Sequence, residues 1–230
     1  TRIQPVKAMI LAAGRGERMG KLTIGTPKPL LQLGTETLIG RHLKRLAEAG
    51  VSEVVINLSH QGELIRNHLV SSGRWGLRIT YSYEGESSLD TGGGVICALP
   101  LLGDDPFLLV SADVLTDIDF SSLTFSTGKG LLVLVPNPPH HSSGDFGLTS
   151  DGQLTAAPPR LTYTGIALLD PALFRNFKLE RQPLRPIFDS AIGRGLLVGL
   201  RYDGLWLDVG TPERLEDARK IIQQRETKSL

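Results

Sequence analysis

The sequence has a single cysteine, Cys97, among its 230 residues, which excludes an intrachain disulfide and a cysteine-based metal site. Its net charge is only +1, so no strong electrostatic field would attract nucleic acid or an anionic membrane surface. No apolar run approaches the roughly 20 residues that a membrane span needs, and the first residues do not resemble a signal peptide. We therefore expect a cytoplasmic protein without nucleic-acid or membrane partners.

What the chain does have is a regular alternation of strand and helix patterns over residues 7–118. Short β-branched runs such as "EVVINL" alternate with helical stretches such as "QGELIRNHLV", and this order predicts a mostly parallel sheet with helices on both faces. The glycines of "TGGG" are expected to precede a helix over "VICAL". After residue 119, strand-like pieces follow one another, apart from a helix predicted over "LRPIFDSAIGRG", until a closing helix begins at Pro212 with Thr211 as its N-cap. The predicted fold class is α/β, with a central sheet between two layers of helices. The sheet is expected to be mixed but mostly parallel, beside a smaller β-rich portion, and residues 1–230 are expected to form one domain.

A glycine-rich segment, "LAAGRGERMGKLTIGTPKP", begins at the end of the first predicted strand, an apolar run over Lys7–Leu11. A glycine-rich turn in this position usually binds phosphate. A P-loop has four residues between its glycines and then Lys-Ser/Thr, but Gly16 and Gly20 have three between them, and Lys21 is not followed by Ser or Thr. A dinucleotide site needs a helix that begins on the glycines, which Pro27 and Pro29 would interrupt. We therefore expect a long loop across the ligand rather than a helix. This disfavours a dinucleotide-dependent oxidoreductase.

Four motifs in order resemble the signature of the sugar-1-phosphate nucleotidyltransferases. They are the glycine loop with its Pro-Lys-Pro, "YSYEGESSLDTGGG", "PFLLVSAD" and "WLDVGTPERL", and together they cover nearly the whole chain. The resemblance implies a Rossmann-like nucleotidyltransferase fold, with nucleotide binding in residues 7–118, sugar binding in residues 119–230 and no hexapeptide-repeat domain. It also implies the reaction, in which a sugar 1-phosphate attacks the α-phosphorus of a nucleoside triphosphate and releases pyrophosphate with the help of Mg²⁺.

By the same resemblance, specific residues are expected to form the site. The catalytic residues are Arg18, Lys28, Asp113 and Asp208, and the metal ligands are Asp113 and Asp208. The nucleotide-binding residues are Leu11, Ala12, Ala13, Gly14, Gly16, Arg18, Lys28, Glu84, Thr91, Gly92 and Gly93. The sugar-binding residues are Asp113, Asp145, Thr164 and Gly165. His140 and His141 are adjacent, and neighbouring side chains on an extended chain point apart, so joint metal ligation is not expected.

The substrates remain more open than the reaction. The segments "LDTGGG" and "NPPHHSSGDF" favour UTP and N-acetylmuramic acid 1-phosphate by resemblance, while GTP with mannose 1-phosphate, or glucose 1-phosphate as the sugar, are alternatives. Glu84 would accept hydrogen bonds from uracil or from guanine and does not decide the base. A lactyl carboxylate on the sugar would need a cation, for which Arg160 and the turn at His140 and His141 are candidates.

Two departures from the family pattern leave a different class of function open. Lys21 stands where the family usually has a proline, and Ala112 stands where it has a glycine. These departures motivate a non-catalytic nucleotide or nucleotide-sugar sensor as the alternative to an enzyme. The chain is expected to be a monomer or a small homo-oligomer.

Overall fold

The computed structural model describes residues 7–72, 75–125 and 128–228. Within these ranges, the α-helices are α1 (Leu38–Glu48), α2 (Gly62–Ser72), α3 (Asp90–Leu102), α4 (Arg185–Gly193) and α5 (Pro212–Lys228). The strands are β1 (Lys7–Leu11), β2 (Gln32–Leu33), β3 (Glu36–Thr37), β4 (Glu53–Leu58), β5 (Arg78–Tyr83), β6 (Phe107–Ser111), β7 (Val114–Thr116), β8 (Gly130–Val135), β9 (Phe146–Leu148), β10 (Leu154–Thr155), β11 (Arg160–Leu169), β12 (Leu197–Arg201) and β13 (Trp206–Asp208).

The central sheet is mixed and mostly parallel, which confirms the predicted fold class. Its strands follow the order β12-β8-β11-β6-β1-β4-β5, and β9 and β10 extend from the start of β11. The strands β6, β1, β4 and β5 run parallel to one another, as do β8 and β12. Strand β11 runs antiparallel to β6 and to β8, so it joins the two parallel groups and connects the two halves of the sequence. The assignment of these halves to nucleotide and sugar remains a prediction.

The hydrophobic core lies on both faces of this sheet. Alternate residues of β1 point to opposite faces: Ala8 and Ile10 pack with Leu43 of α1, whereas Met9 packs with Val95 of α3. All five side chains are fully buried. The continuous apolar run of β1 is thus explained by burial on both faces, as expected for a parallel strand under helices.

Capping residues set the bounds of the helices. Thr37 accepts a hydrogen bond from Gly40 N (3.1 Å) at the start of α1, and Gly50 follows the helix with φ +85°, which favours glycine. Thr211 accepts from Arg214 N (3.4 Å) at the start of α5, as predicted for an N-cap. No helix in the described ranges is long and apolar enough to cross a membrane.

Two expectations about the glycine segments meet different outcomes. After β1 the chain forms an irregular loop over residues 12–16 and then a 3₁₀ helix at Glu17–Thr23 that is interrupted at Gly20. This agrees with the prediction that no α-helix begins on these glycines. The "TGGG" segment was expected to precede a helix, but it lies inside the first turns of α3. The glycines are tolerated there because residues 180–183 pack closely against them.

Candidate functional site

Two adjoining cavities open where β1 and β6 end, which is the edge at which α/β sheets bind ligands. The larger has a volume of about 730 Å³ and is lined by residues 11–18 together with residues that include Lys28, Asn57, Thr91, Ser111, Ala112 and Asp113. The smaller has about 500 Å³, and its lining includes Asp145, Tyr163, Thr164, Gly165 and Asp208. Both cavities share Leu11, Arg18, Thr91, Ser111 and Asp113. A ligand in one cavity therefore adjoins a ligand in the other.

The loop after β1 is held by the neighbouring strand. Ala12 N donates to Oδ1 of Asn57, the fifth residue of β4 (2.6 Å). Gly14 is exposed to the larger cavity, so backbone groups there can approach a ligand closely. Gly16 adopts φ +67°, and a Cβ at this position would lie 3.2 Å from Lys28 Cβ. The second glycine is therefore required for the turn and for its contact with Lys28.

An ion pair marks the border between the cavities. Lys28 Nζ lies 2.6 Å from Asp113 Oδ2. Lys28 stands in a 3₁₀ turn between Pro27 and Pro29, and proline fixes the backbone φ on either side. The Lys28 side chain is 10% exposed and that of Asp113 is 39% exposed. A buried ammonium is thus held at a fixed place beside the glycine loop, where it can meet a phosphate.

A second carboxylate, Asp208, is brought beside Asp113 by the pairing of β13 with β7. In this pairing Asp208 lies opposite Val114, the residue that follows Asp113. Asp208 Oδ1 is 2.8 Å from His140 Nε2, and Asp208 Oδ2 is 3.0 Å from a terminal nitrogen of Arg214. Two aspartates that are 95 positions apart in sequence therefore both line the smaller cavity, and His140 and Arg214 lie beside the second of them.

The donor set at these aspartates suits a hard cation. Across the described residues, no group of three or more His, Cys, Asp and Glu side chains is arranged to hold a metal. Two carboxylates offer only oxygen ligands, and Mg²⁺ characteristically completes its octahedral shell with waters and substrate phosphates. Asp113 and Asp208 are therefore the described carboxylates that could ligate a divalent cation together with substrate phosphates.

A bulge in β11 shapes the smaller cavity. The register against β8 shifts after Tyr163, and Gly165 adopts φ +79°, where a Cβ would lie 2.6 Å from Ser111 Oγ. The Thr164 hydroxyl donates to Val133 O (2.8 Å). The hydroxyl of Thr164 thus supports the bulge, and the absence of a side chain at Gly165 leaves space beside Ser111.

Asp145 lies in the wall of this cavity, and each of its carboxylate oxygens contacts another residue of the protein. Its Oδ2 accepts from Tyr163 N (2.8 Å), and its Oδ1 is 3.1 Å from His141 Nε2. Because His140 pairs with Asp208 instead, the two adjacent histidines meet different carboxylates. Burial, and then the charge of Asp145, raise the pKa of the Tyr163 phenol far above its usual value, so this hydroxyl remains protonated.

Glu84, which the resemblance implied in base recognition, does not line either cavity. Its Oε1 accepts from Asn57 Nδ2 (2.6 Å) and its Oε2 accepts from Leu89 N (2.7 Å). Asn57 in turn holds the glycine loop. In this arrangement Glu84 positions Asn57 from behind the cavity wall, and a contact of Glu84 with a base remains a prediction.

Gly92 and Gly93 also lie away from the lining of both cavities. Their N–H groups both donate to Gln182 O (2.9 Å each). A Cβ at Gly92 would lie 2.5 Å from Pro183 O, and one at Gly93 would overlap Glu180 O. The described structure therefore explains these glycines by the close packing of residues 180–183, while Thr91 at the same helix end does line both cavities.

Sequence reasoning missed several residues that the fold brings to the site. Asn57 and Arg181 line the larger cavity, and Arg185 lines the smaller one. The signal for Asn57 was a polar residue near the end of a β-branched run, beside the first strand. No local pattern marks Arg181 or Arg185, because the segment that carries them reaches the site only through contacts with α3.

The fold and the site define a nucleotide-binding α/β protein of a recognisable class. Residues 7–155 match the model of the nucleotidyl transferase family, and the chain belongs to this family. This confirms the resemblance that the four motifs carried.

Particular relatives are similar over nearly the full length. The chain is 43% identical to the N-acetylmuramate alpha-1-phosphate uridylyltransferase of Neisseria meningitidis serogroup B, with 94% of this chain and 98% of the relative covered. It is 30% identical to the protein of the same name from Caulobacter vibrioides, over 91% of this chain and 93% of the relative. The Danio rerio mannose-1-phosphate guanylyltransferase catalytic subunit beta is 28% identical over 90% of this chain, which covers 62% of that longer relative.

A solved structure supports the fold. The crystal structure of a protein assigned as a glucose-1-phosphate thymidylyltransferase from Bacillus anthracis, in complex with sucrose, matches with a TM-score of 0.79. The comparison covers 94% of this chain and 95% of that chain at 20% identity. At this identity the likeness shows the shared fold alone.

Proposed function

We propose that this protein transfers UMP from UTP to N-acetylmuramic acid 1-phosphate, giving the UDP-sugar and pyrophosphate. The observation that carries the proposal is the Lys28–Asp113 ion pair at the border between two adjoining cavities, with Asp208 in the lining of the smaller one. One cavity is of a size for a nucleotide and the other for a sugar. The names of two relatives at 43% and 30% identity support the choice of substrates.

In this proposal each of the two cavities holds one substrate. The triphosphate lies in the larger cavity against the backbone of residues 11–16, with Arg18 and Lys28 supplying positive charge. The sugar lies in the smaller cavity, with Asp145 and Gly165 in its wall. Its 1-phosphate points to the border formed by Arg18 and Asp113. This places an attacking phosphate oxygen beside the α-phosphorus, and such positioning is the main source of rate in phosphoryl transfer.

The residues at the border have separate tasks. Lys28 neutralises phosphate charge and is itself held by Asp113 at 2.6 Å. His140 and Arg214 lie within ion-pair distance of the two oxygens of the Asp208 carboxylate. Asp113 and Asp208 would hold Mg²⁺, which supplies Lewis-acid stabilisation of the phosphate charge when bound. No side chain has to form a covalent bond, because charge neutralisation and alignment suffice.

Pyrophosphate release tests the proposal. UTP, GTP, dTTP and CTP are crossed with N-acetylmuramic acid 1-phosphate, mannose 1-phosphate and glucose 1-phosphate in the presence of Mg²⁺. Turnover restricted to UTP with the first sugar supports the proposed substrates. GTP with mannose 1-phosphate would preserve the reaction and overturn the substrates. Nucleotide binding with no release in any pair would overturn the enzyme and favour the sensor.

A further inference from the structure

The proposed sugar carries a second anionic group besides its phosphate, the carboxylate of the lactyl ether at its 3-position. An ionised carboxylate that leaves water needs a cation or hydrogen-bond donors. In the described part of the chain, the cationic or titratable basic side chains in the smaller cavity are those of Arg18, His140, His141 and Arg185. The inference that follows rests on the proposed function, because the lactyl group comes from that substrate.

Two of these side chains already lie beside carboxylates, and a third is assigned to the triphosphate. Arg18 also lines the larger cavity, where the triphosphate needs its charge. His140 lies 2.8 Å from Asp208, and His141 lies 3.1 Å from Asp145. Arg160, a candidate from the sequence, does not line the cavity and donates through Nε to a backbone carbonyl (2.8 Å).

We propose that Arg185 recognises the lactyl carboxylate and thereby selects the N-acetylmuramic acid substrate. Its Nε contacts both carboxylate oxygens of Asp189 (2.8 and 2.9 Å). Its Cζ lies 4.5 Å from the centroid of the Phe146 ring. Among the described residues, its two terminal nitrogens have no hydrogen-bond partner. Those two nitrogens form the planar fork that binds a carboxylate with two parallel hydrogen bonds.

The backbone that carries Arg185 is anchored to the site. Leu184 N donates to Thr91 Oγ1 (2.9 Å), and Gln182 N donates to Leu89 O (3.0 Å). Thr91 borders both cavities. The guanidinium therefore packs on the Phe146 ring and is hydrogen-bonded to Asp189, while the backbone of the preceding residue, Leu184, is anchored to α3. Such preorganisation lowers the entropy that a long side chain loses when it binds.

The geometry separates the two anionic ends of the substrate. Lys28, Arg18 and Asp113 lie at the border with the larger cavity, where the 1-phosphate must react. Arg185 stacks on Phe146, which follows Asp145 in the wall of the smaller cavity. A sugar bound with its phosphate at the border can present its 3-substituent toward Arg185, whereas a sugar without the lactyl group offers Arg185 no charge.

The test compares two sugar 1-phosphates that differ only in the lactyl ether. Steady-state kinetics with UTP are measured for N-acetylmuramic acid 1-phosphate and for N-acetylglucosamine 1-phosphate, using wild type, Arg185→Gln and Arg185→Lys. If the second sugar is not turned over, its inhibition constant replaces the kinetic comparison. Arg201→Gln is the matched control, because Arg201 forms an exposed ion pair with Asp203 and lines neither cavity.

Arg185→Gln is expected to raise KM for N-acetylmuramic acid 1-phosphate by about 10- to 100-fold, the usual effect of losing a charge-assisted pair. The constant for N-acetylglucosamine 1-phosphate should change less than about threefold, and Arg185→Lys should restore part of the loss. Equal losses for both sugars, or none for either, would overturn the assignment of Arg185.

Failure of the proposed function is visible separately. It is seen when the wild-type protein releases no pyrophosphate with UTP and either sugar. The dissociation constants of the same two sugar phosphates, measured by calorimetry with wild type and Arg185→Gln, then decide the role of Arg185. If Arg185→Gln weakens the binding of N-acetylmuramic acid 1-phosphate selectively, the role is supported. An unchanged ratio of the two dissociation constants contradicts it.

Discussion

Removing one partner of the Lys28–Asp113 ion pair should cost different amounts of stability, depending on which partner is removed. The Lys28 side chain is 10% exposed, whereas that of Asp113 is 39% exposed. In Asp113→Asn, an ammonium loses its counter-charge where little water can reach it. In Lys28→Met, the remaining carboxylate is still partly hydrated, and the methionine replaces much of the apolar stem that lysine buries.

The magnitudes follow from these exposures. Breaking a fully buried pair costs about 3–5 kcal/mol, and exposed pairs contribute about 0–1 kcal/mol. We therefore expect a loss of about 2 kcal/mol for Asp113→Asn and of at most about 1 kcal/mol for Lys28→Met. For a chain of this length, 1 kcal/mol shifts Tm by roughly 2–4 °C. The expected decreases are then about 4–8 °C for Asp113→Asn and at most about 4 °C for Lys28→Met.

Thermal unfolding and pyrophosphate release are measured on the same preparations. Both variants should lose about 10²- to 10³-fold in kcat, because each removes a positioned charge at the reacting phosphates. The Arg201→Gln variant controls for the loss of an exposed ion pair. The reasoning is refuted if Lys28→Met lowers Tm as much as Asp113→Asn does, or if either variant keeps activity within tenfold of wild type.

Other substitutions test other parts of the site. Gly165→Ala should cost about 2–3 kcal/mol in urea unfolding, because φ +79° and the approach to Ser111 both oppose a Cβ; an unchanged midpoint would contradict this. Burial lowers the pKa of His42 from 6.5 to about 4, so the unfolded chain binds a proton that the folded protein excludes between these pH values. The unfolding free energy should therefore fall by about 2 kcal/mol from pH 7 to pH 5, and His42→Leu should reduce this difference. Tyr163→Phe removes a buried hydroxyl that has no hydrogen-bond partner among the described residues, so its stability should change by less than about 1 kcal/mol; a larger loss would reveal a missing partner.

Local patterns predicted the first half of the fold well. The strand over Lys7–Leu11 was expected from an apolar run and is found with the same bounds. The loop after it was expected to be irregular because its glycines and prolines oppose an α-helix, and the structure agrees. Both features depend on residues that are close in sequence, which is why they could be predicted from the sequence.

The contacts of Glu84 and of the α3 glycines could not be predicted from local sequence patterns. Their motifs suggested contact with a base, but Glu84 holds Asn57, and Gly92 and Gly93 accommodate residues 180–183. Those partners are 27 or about 90 positions away, and no periodicity reports such contacts. Arg185 was missed for the same reason, since the anchor at Leu184 and Thr91 joins distant parts of the chain.

In the proposed reaction, a sugar phosphate oxygen attacks the α-phosphorus at the border of the two cavities. Its most direct test uses N-acetylmuramic acid 1-phosphate labelled with ¹⁸O in its phosphate, together with unlabelled UTP and Mg²⁺. Mass spectrometry of the products should find the label in the UDP-sugar and unlabelled pyrophosphate. Label in pyrophosphate or in inorganic phosphate, or no UDP-sugar at all, would contradict the account.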